Sequence, residues 1–300
     1  MTGAPPAPSW PGVLGRWHLE PVAVALVVGA LLAYLRGRRL VAGRAPWDRR
    51  DAAFLAGLGT VLVALVSPIG TYAEVLLSVH MVQHLLLVLV AAPLLVASRP
   101  LERLLGVQGA GWANGAARFL RHPLVAWVLF AATGWAVHFS PLFDLALRHP
   151  PVHGVEHALF LASGLLFWAP VLGAGEHRLS HPMRLLYLAL AMPQNTFLAL
   201  AISSAGSPLY DTYASLSPSW GPSPLADQKQ AGGIMWVAGD LTLLVAVLAV
   251  AAAWGGAEAR RQEEDEEDWA EPRQPAGLGE PGDSVSEGSA GPPPSPRTAG

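Results

Sequence analysis

Seven stretches of this chain read as apolar enough to cross a lipid bilayer, and that reading leaves almost no choice of fold. A hydrocarbon core of about 30 Å needs roughly 20 mostly apolar residues in a helix, and in lipid only a helix or a closed barrel satisfies its own backbone. The stretches run approximately from Glu20 to Leu35, Ala52 to Val66, Val75 to Ala97, Leu124 to Phe139, His153 to Leu172, Leu185 to Ala205 and Gly232 to Trp254. The expected fold is therefore all-α, a polytopic integral membrane bundle of about seven transmembrane helices. Composition agrees: 52% of the 300 residues are hydrophobic and 14% charged, against roughly 25% charged in a soluble domain.

Arginine sets the expected orientation, because cytoplasmic loops carry the Lys/Arg excess. Arg36, Arg38, Arg39, Arg44, Arg49 and Arg50 lie between spans one and two, and Arg99, Arg103, Arg118 and Arg121 between spans three and four. Arg178 and Arg184 follow span five, and Arg260 and Arg261 follow span seven. The alternate loops hold only Arg16, Arg148 and Lys229. The N-terminus is thus expected outside and the C-terminus in the cytoplasm. Residues 1–19, rich in Pro, Gly and Trp, lack the pattern of a cleavable signal and form an external segment. Residues 20–254 form the membrane domain. Residues 255–300, acidic and then rich in Pro, Gly and Ser, bury too little apolar surface to fold and are expected to be a disordered cytoplasmic tail. The formal net charge of −3 hides this division, since half the acidic residues fall after Trp254. The expected partner of such a body is the bilayer, with no nucleic acid.

The chain has no cysteine, which removes disulfides, thiolate metal sites and cysteine nucleophiles. It has ten histidines. With the topology above, His122, His177 and His181 fall in cytoplasmic loops and read as exposed or headgroup-level residues. His18, His80, His84, His138, His149, His153 and His157 all fall in the outer half. Span three runs inward through "EVLLSVHMVQHLLLVLVAAPLL", which puts His80 roughly 8 Å and His84 about 14 Å deep. Span five opens "HPPVHGVEHALFLASGLLFW", with His153 near the interface and His157 a turn below. Each pair is spaced i, i+4, so its imidazoles share one helix face, as chelation of one ion requires. The segments "HMVQHLL" and "HGVEHAL" also resemble each other. Histidines that merely link helices are the competing reading, but two pairs at matching depth among other polar groups mark a site, because ionisable groups in lipid are costly.

His80, His84, His153 and His157 are therefore the candidate metal ligands. Candidates to orient those ligands or to pass the ion on are His138, at the end of span four, with Asp144 just beyond; Asp211 and Asp227 at the outer mouth; Met235 near the start of span seven; and Asp240, roughly 12 Å down it. Glu156, three residues after His153, reads as a ligand, a proton acceptor or, preferably, a partner that fixes an imidazole tautomer. In span six, Met192, Gln194 and Asn195 beside Pro193 read as a kink with packing hydrogen bonds. Neutral imidazole suits copper, zinc, iron and nickel, and thioether selects Cu(I). Met235 lies near the polar level, while Met81, next to His80, is open to facing lipid. Residue types alone leave copper modestly ahead of zinc, and the shortage of carboxylates argues against a di-iron bundle centre.

The runs "SPIGTYAEVLLSVHMVQHLLLVLVAAPLLVASRP", "HFSPLFDLALRHPPVHGVEHALFLASGLLFWAPV", "MPQNTFLALAISSAGSPLYDTYA" and "DQKQAGGIMWVAGDL" resemble the CtaG family of bacterial cytochrome c oxidase assembly factors over about Trp17 to Trp254. The resemblance implies a multi-pass protein of the bacterial plasma membrane, with cytochrome c oxidase subunits as partners and an accessory role without catalysis of its own. Its place would be the maturation of a haem-copper oxidase, at copper delivery. Two alternatives stay open. In a haem-binding membrane cytochrome, i, i+4 histidines would compete for one axial position. In a copper transporter, polar groups would continue through the inner leaflet, where spans three, five and seven read "LVLVAAPLLV", "ASGLLFWAPV" and "LLVAVLAVAAAW". A desaturase-like histidine-box enzyme fits least, because the chain has no adjacent His-His pair.

Overall fold

A computed structural model describes residues 5–9, 15–17, 20–41, 46–100, 115–173, 178–216 and 218–270. Among these the regular structure is entirely helical. The helices are α1 (Pro21–Val41), α2 (Arg49–Val66), α3 (Pro68–Ala73), α4 (Leu77–Leu85), a π-helical segment (Leu86–Ala91), α5 (Ala92–Ser98), α6 (Gly115–Leu120), α7 (Pro123–His138), α8 (Leu142–Arg148), α9 (Pro150–Leu172), α10 (His181–Ser203), α11 (Asp211–Leu216) and α12 (Pro224–Ala270). Several starts are written in the sequence. Proline occupies the first turn of α3, α7, α9 and α10, where its missing N–H costs nothing and its φ already suits a helix. α2 opens with a reciprocal capping box between Asp48 and Asp51.

Among the described residues, five stretches are long and apolar enough to cross a membrane: Pro21–Leu40, Leu77–Ser98, Pro150–Leu172, His181–Ser203 and Pro224–Glu266. α7 and α8, bent by 66° at their junction, would make a sixth if taken as one broken span. The expected second span is the one that falls short by composition. α2 has 18 residues, and its first turn holds Arg49, Arg50 and Asp51, leaving an apolar part from Ala52 to Val66 of only about 22 Å. At the other end, α12 includes residues 255–270, a stretch expected to be disordered. Its Glu, Ala, Arg and Gln are strong helix formers, and Glu258 pairs with Arg261 one turn on at 3.7 Å. Two compact units divide at this point, Met1–Trp254 and Gly255–Gly300.

Buried polar contacts inside the first unit tie helices together. Asp51, fully buried, accepts from Tyr34 Oη at 2.7 Å and from Arg38 Nε at 3.3 Å, joining α2 to α1. α4 has no cap from its own preceding residue. Asp227 of α12 supplies one, accepting from Leu77 N at 2.6 Å, Ser78 N at 3.3 Å and the Ser78 hydroxyl. The next residue, Gln228, donates to Ile202 O at 3.0 Å and accepts from Leu209 N at 2.7 Å. The π-helical segment begins two residues after His84, and segments of this kind occur often at functional sites. Trp168 of α9 donates to its Val88 carbonyl at 2.9 Å. Gly164, one turn earlier, lets α9 approach so closely that a Cβ there would stand 3.2 Å from Val88 Cα and 3.0 Å from Ala92 Cβ. α4 and α9, which carry the histidine pairs, are thus locked in register just below them.

Candidate metal centre

The i, i+4 spacing does on α4 what helix geometry requires: His80 and His84 point from one face, and their Nε2 atoms lie 2.8 Å apart. α9 brings His153 and His157 against them. Ring centroids are 5.3 Å apart for His80 and His153, 5.8 Å for His84 and His157, and 4.2 Å for His153 and His157. His138, at the end of α7, reaches the same place, 6.3 Å from His84. Glu156 points inward from α9, its Oε1 3.9 Å from His80 Nε2 and 3.8 Å from His84 Nε2. His80 and Glu156 are fully buried, and His84, His138 and His157 are 4–5% exposed. Only His153 is partly open. Phe143 and Phe160 line the cluster, with the Phe160 ring tilted by 30° against His84 at 4.1 Å and Phe143 5.1 Å from His80.

Hydrogen bonds outside the cluster decide which nitrogens face into it. The Tyr213 hydroxyl has one proton and donates it to Ala73 O at 2.6 Å. Burial, and then the nearby carboxylates of Glu156 and Asp227, push this phenol well above its ordinary pKa, so the proton stays. At 2.9 Å from His80 Nδ1 the same oxygen can only accept, which makes Nδ1 the protonated nitrogen of His80 and leaves a lone pair on Nε2. His138 is fixed in the same sense, its Nδ1–H donating to Gly134 O at 2.7 Å. Imidazoles held through one nitrogen so that the other is free are the usual arrangement around a bound metal.

Many polar atoms of the cluster have no hydrogen-bond partner. Both oxygens of Glu156, both nitrogens of His157, His153 Nε2, His138 Nε2 and His84 Nδ1 are buried without a hydrogen bond. A buried carboxylate with no donor costs several kcal/mol unless a cation or proton accompanies it. Two sets of ligand atoms converge within 4.8 Å of one another: His80, His84 and His157, and His80, His153 and Glu156. Tetrahedral coordination with metal–nitrogen bonds near 2 Å places ligand nitrogens about 3 Å apart, so the observed spacing suits a single ion after small rotations of the rings.

The other candidates lie elsewhere. Asp227 caps α4, as above. Asp144 accepts from Thr212 N at 3.0 Å, and with Arg148, which donates to the Thr212 hydroxyl at 3.1 Å, fastens α11 to α8. Asp211 is exposed at the start of α11. Met235 is buried in the apolar core with Tyr210 and Tyr213, and Met81 is buried there too. Asp240 accepts from Asn195 at 2.9 Å and Thr196 at 2.6 Å, so it pins α12 to the polar stretch beside Pro193. His149 and His122 are exposed and His181 half-buried; His18 and His177 lie outside the described residues. Sequence reasoning passed over Tyr213, Phe143 and Phe160. The only signal for Tyr213 is its position in "SPLYDTYA", a polar loop that the fold lays against α4.

Comparison with known proteins matches residues 31–256 to the family model of the cytochrome c oxidase caa3 assembly factor, CtaG. The chain is similar to uncharacterized proteins of Mycobacterium bovis and Mycobacterium tuberculosis, each 31% identical over an alignment of 270 residues, which covers 83% of this chain and 41% of the relative. A Mycobacterium leprae protein, also uncharacterized, is 30% identical over an alignment of 250 residues, which covers 77% of this chain and 38% of that one. The chain thus spans about two fifths of the length of these curated relatives. No solved structure matches it. With three quarters of its length under one family model, the chain belongs to the cytochrome c oxidase caa3 assembly factor family.

Proposed function

We propose that this assembly factor holds a copper ion, as cargo, in the imidazole cluster on the external side of the bacterial plasma membrane and passes it to subunits of a haem-copper oxidase during their maturation. The observation that carries the reading is the convergence of His80, His84, His138, His153, Glu156 and His157 from three helices, with Nδ1 of His80 and His138 tied down and His138 Nε2, His153 Nε2, both His157 nitrogens and both Glu156 oxygens left without hydrogen bonds. Supporting it is the arginine asymmetry, which favours seven spans with the N-terminus outside and α2 as a short span. In that arrangement the cluster opens toward the compartment where an external oxidase domain would receive the ion. Imidazole nitrogens with little competing oxygen suit copper, and the factor needs no covalent step of its own: it binds, shields and releases.

A small ion is favoured over a haem. Axial ligation needs imidazoles on opposite faces of a wide planar ring, whereas His80 and His84 touch at 2.8 Å and Phe143 and Phe160 pack against them. A transporter is disfavoured by the apolar inner halves of the helices. In a strain lacking this gene and any redundant homologue, oxidase subunits should be synthesised but oxidase activity should be low, with partial rescue by excess copper. Normal oxidase activity in that strain would remove the reading.

A further inference from the structure

The two ligand sets share one residue, and that residue has only one nitrogen to give. His80 belongs to both, its Nδ1 is engaged by Tyr213, and its Nε2 is the atom close to both His84, at 2.8 Å, and Glu156, at 3.9 Å. An imidazole lone pair binds one ion at a time. The sets therefore cannot both be filled through His80; they are alternatives for the same ion. They also differ in access. His153, one helical turn before His157, is the partly exposed member, while His84 and His157 are 4% and 5% exposed.

We infer that the ion takes two successive positions that pivot on His80: an outer receiving position with His153 and Glu156, and an inner holding position with His84 and His157. This inference rests on the copper reading above and adds an order to it. In the outer position Glu156 supplies the negative charge that makes it favourable for a cation to shed its water. Passage inward then exchanges His153 and Glu156 for His84 and His157 while the bond to His80 Nε2 persists. Only ligands are exchanged. The oxidation state of the ion does not change, and the proton on His84 Nε2, which the 2.8 Å contact with the His80 lone pair requires, moves to the partnerless Nδ1. Release to a partner runs the same exchange in reverse, so the outer pair sets the rate and the inner pair the affinity.

The test uses the full chain purified in detergent and Cu(I) presented on a chromogenic chelator, with equilibrium affinity and uptake rate measured separately. His153→Ala and Glu156→Gln should slow uptake about tenfold or more while changing affinity by less than about threefold, and His84→Ala and His157→Ala should lower affinity by about 100-fold or more, the span expected for loss of a direct ligand rather than an orienting group. Weak residual binding in His84→Ala should vanish when His153→Ala is added. Unchanged thermal unfolding midpoints show that each variant is folded. If all four variants lose affinity in parallel, with uptake following affinity, there is a single position and the inference is overturned while copper binding stands. If the parent protein itself retains no Cu(I), the copper reading fails and this inference with it.

Discussion

Two tyrosines three residues apart offer a contrast in which the same substitution should give opposite results. Tyr213 donates to Ala73 O and accepts from His80 Nδ1, so Tyr213→Phe takes the donor from a buried carbonyl and the hydroxyl acceptor from a buried ring nitrogen. It also frees His80 to turn or to take the other tautomer. An orphaned buried group costs about 1–3 kcal/mol, and loss of a partner that orients a metal ligand lowers metal affinity about 10–100-fold. Tyr210 is as well buried, at 3% exposure, and packs on Phe143 at 4.3 Å. Its hydroxyl, however, has no hydrogen-bond partner, so Tyr210→Phe removes a polar group that gains nothing from burial and should be neutral or slightly stabilising. The assay is Cu(I) competition against a chelator of known affinity, with thermal unfolding of the same samples. Equal affinities for Tyr213→Phe and the parent, or equal losses for the two variants, would refute the claim that the tyrosine sets the tautomer of His80.

Asp227→Ala should destabilise the protein by about 2–5 kcal/mol, because three buried donors at the start of α4 lose their acceptor; an unfolding midpoint within a degree of the parent would show that water replaces the carboxylate. A reporter fused after Trp254 should behave as cytoplasmic and one inserted between Ser215 and Pro224 as external, and the reverse pattern would move the histidine cluster to the wrong side for delivery. Replacing His149, which is exposed, should leave Cu(I) affinity within about twofold of the parent, as expected for a surface group that holds no ligand in place.

The parts of this site that could be read from the sequence are those set by local geometry. Spacing i, i+4 fixes a shared face whatever the tertiary structure, and polar residues inside apolar runs stand out, so the His80/His84 and His153/His157 pairs and His138 are visible as letters. What depends on which helix lies next to which is not. Asp240 sits at a depth that suggests a site, but the neighbour it meets is α10, where Asn195 and Thr196 occupy it. Asp227 looks like a mouth residue and instead caps α4 across 150 positions of sequence. Glu156 could turn either way on spacing alone; the structure places its carboxylate among the imidazoles. Tyr213 is hidden because its role depends on a short helix folding back onto a residue 133 positions away. The helical stretch past Trp254 was obscured for another reason: charge density argues for disorder, whereas these charged residues are also good helix formers.

The most direct test of the central claim is X-ray absorption at the copper edge of the purified protein loaded anaerobically with Cu(I), alongside a His84→Ala/His157→Ala double variant. The parent should retain about one equivalent, with nitrogen ligands at about 2 Å and no sulfur, as imidazole ligation requires, and the double variant should keep only the weak binding that His80, His153 and Glu156 provide. A double variant that binds Cu(I) as tightly as the parent, or a parent spectrum without nitrogen neighbours, would contradict a shared imidazole site and leave these histidines as helix-packing residues.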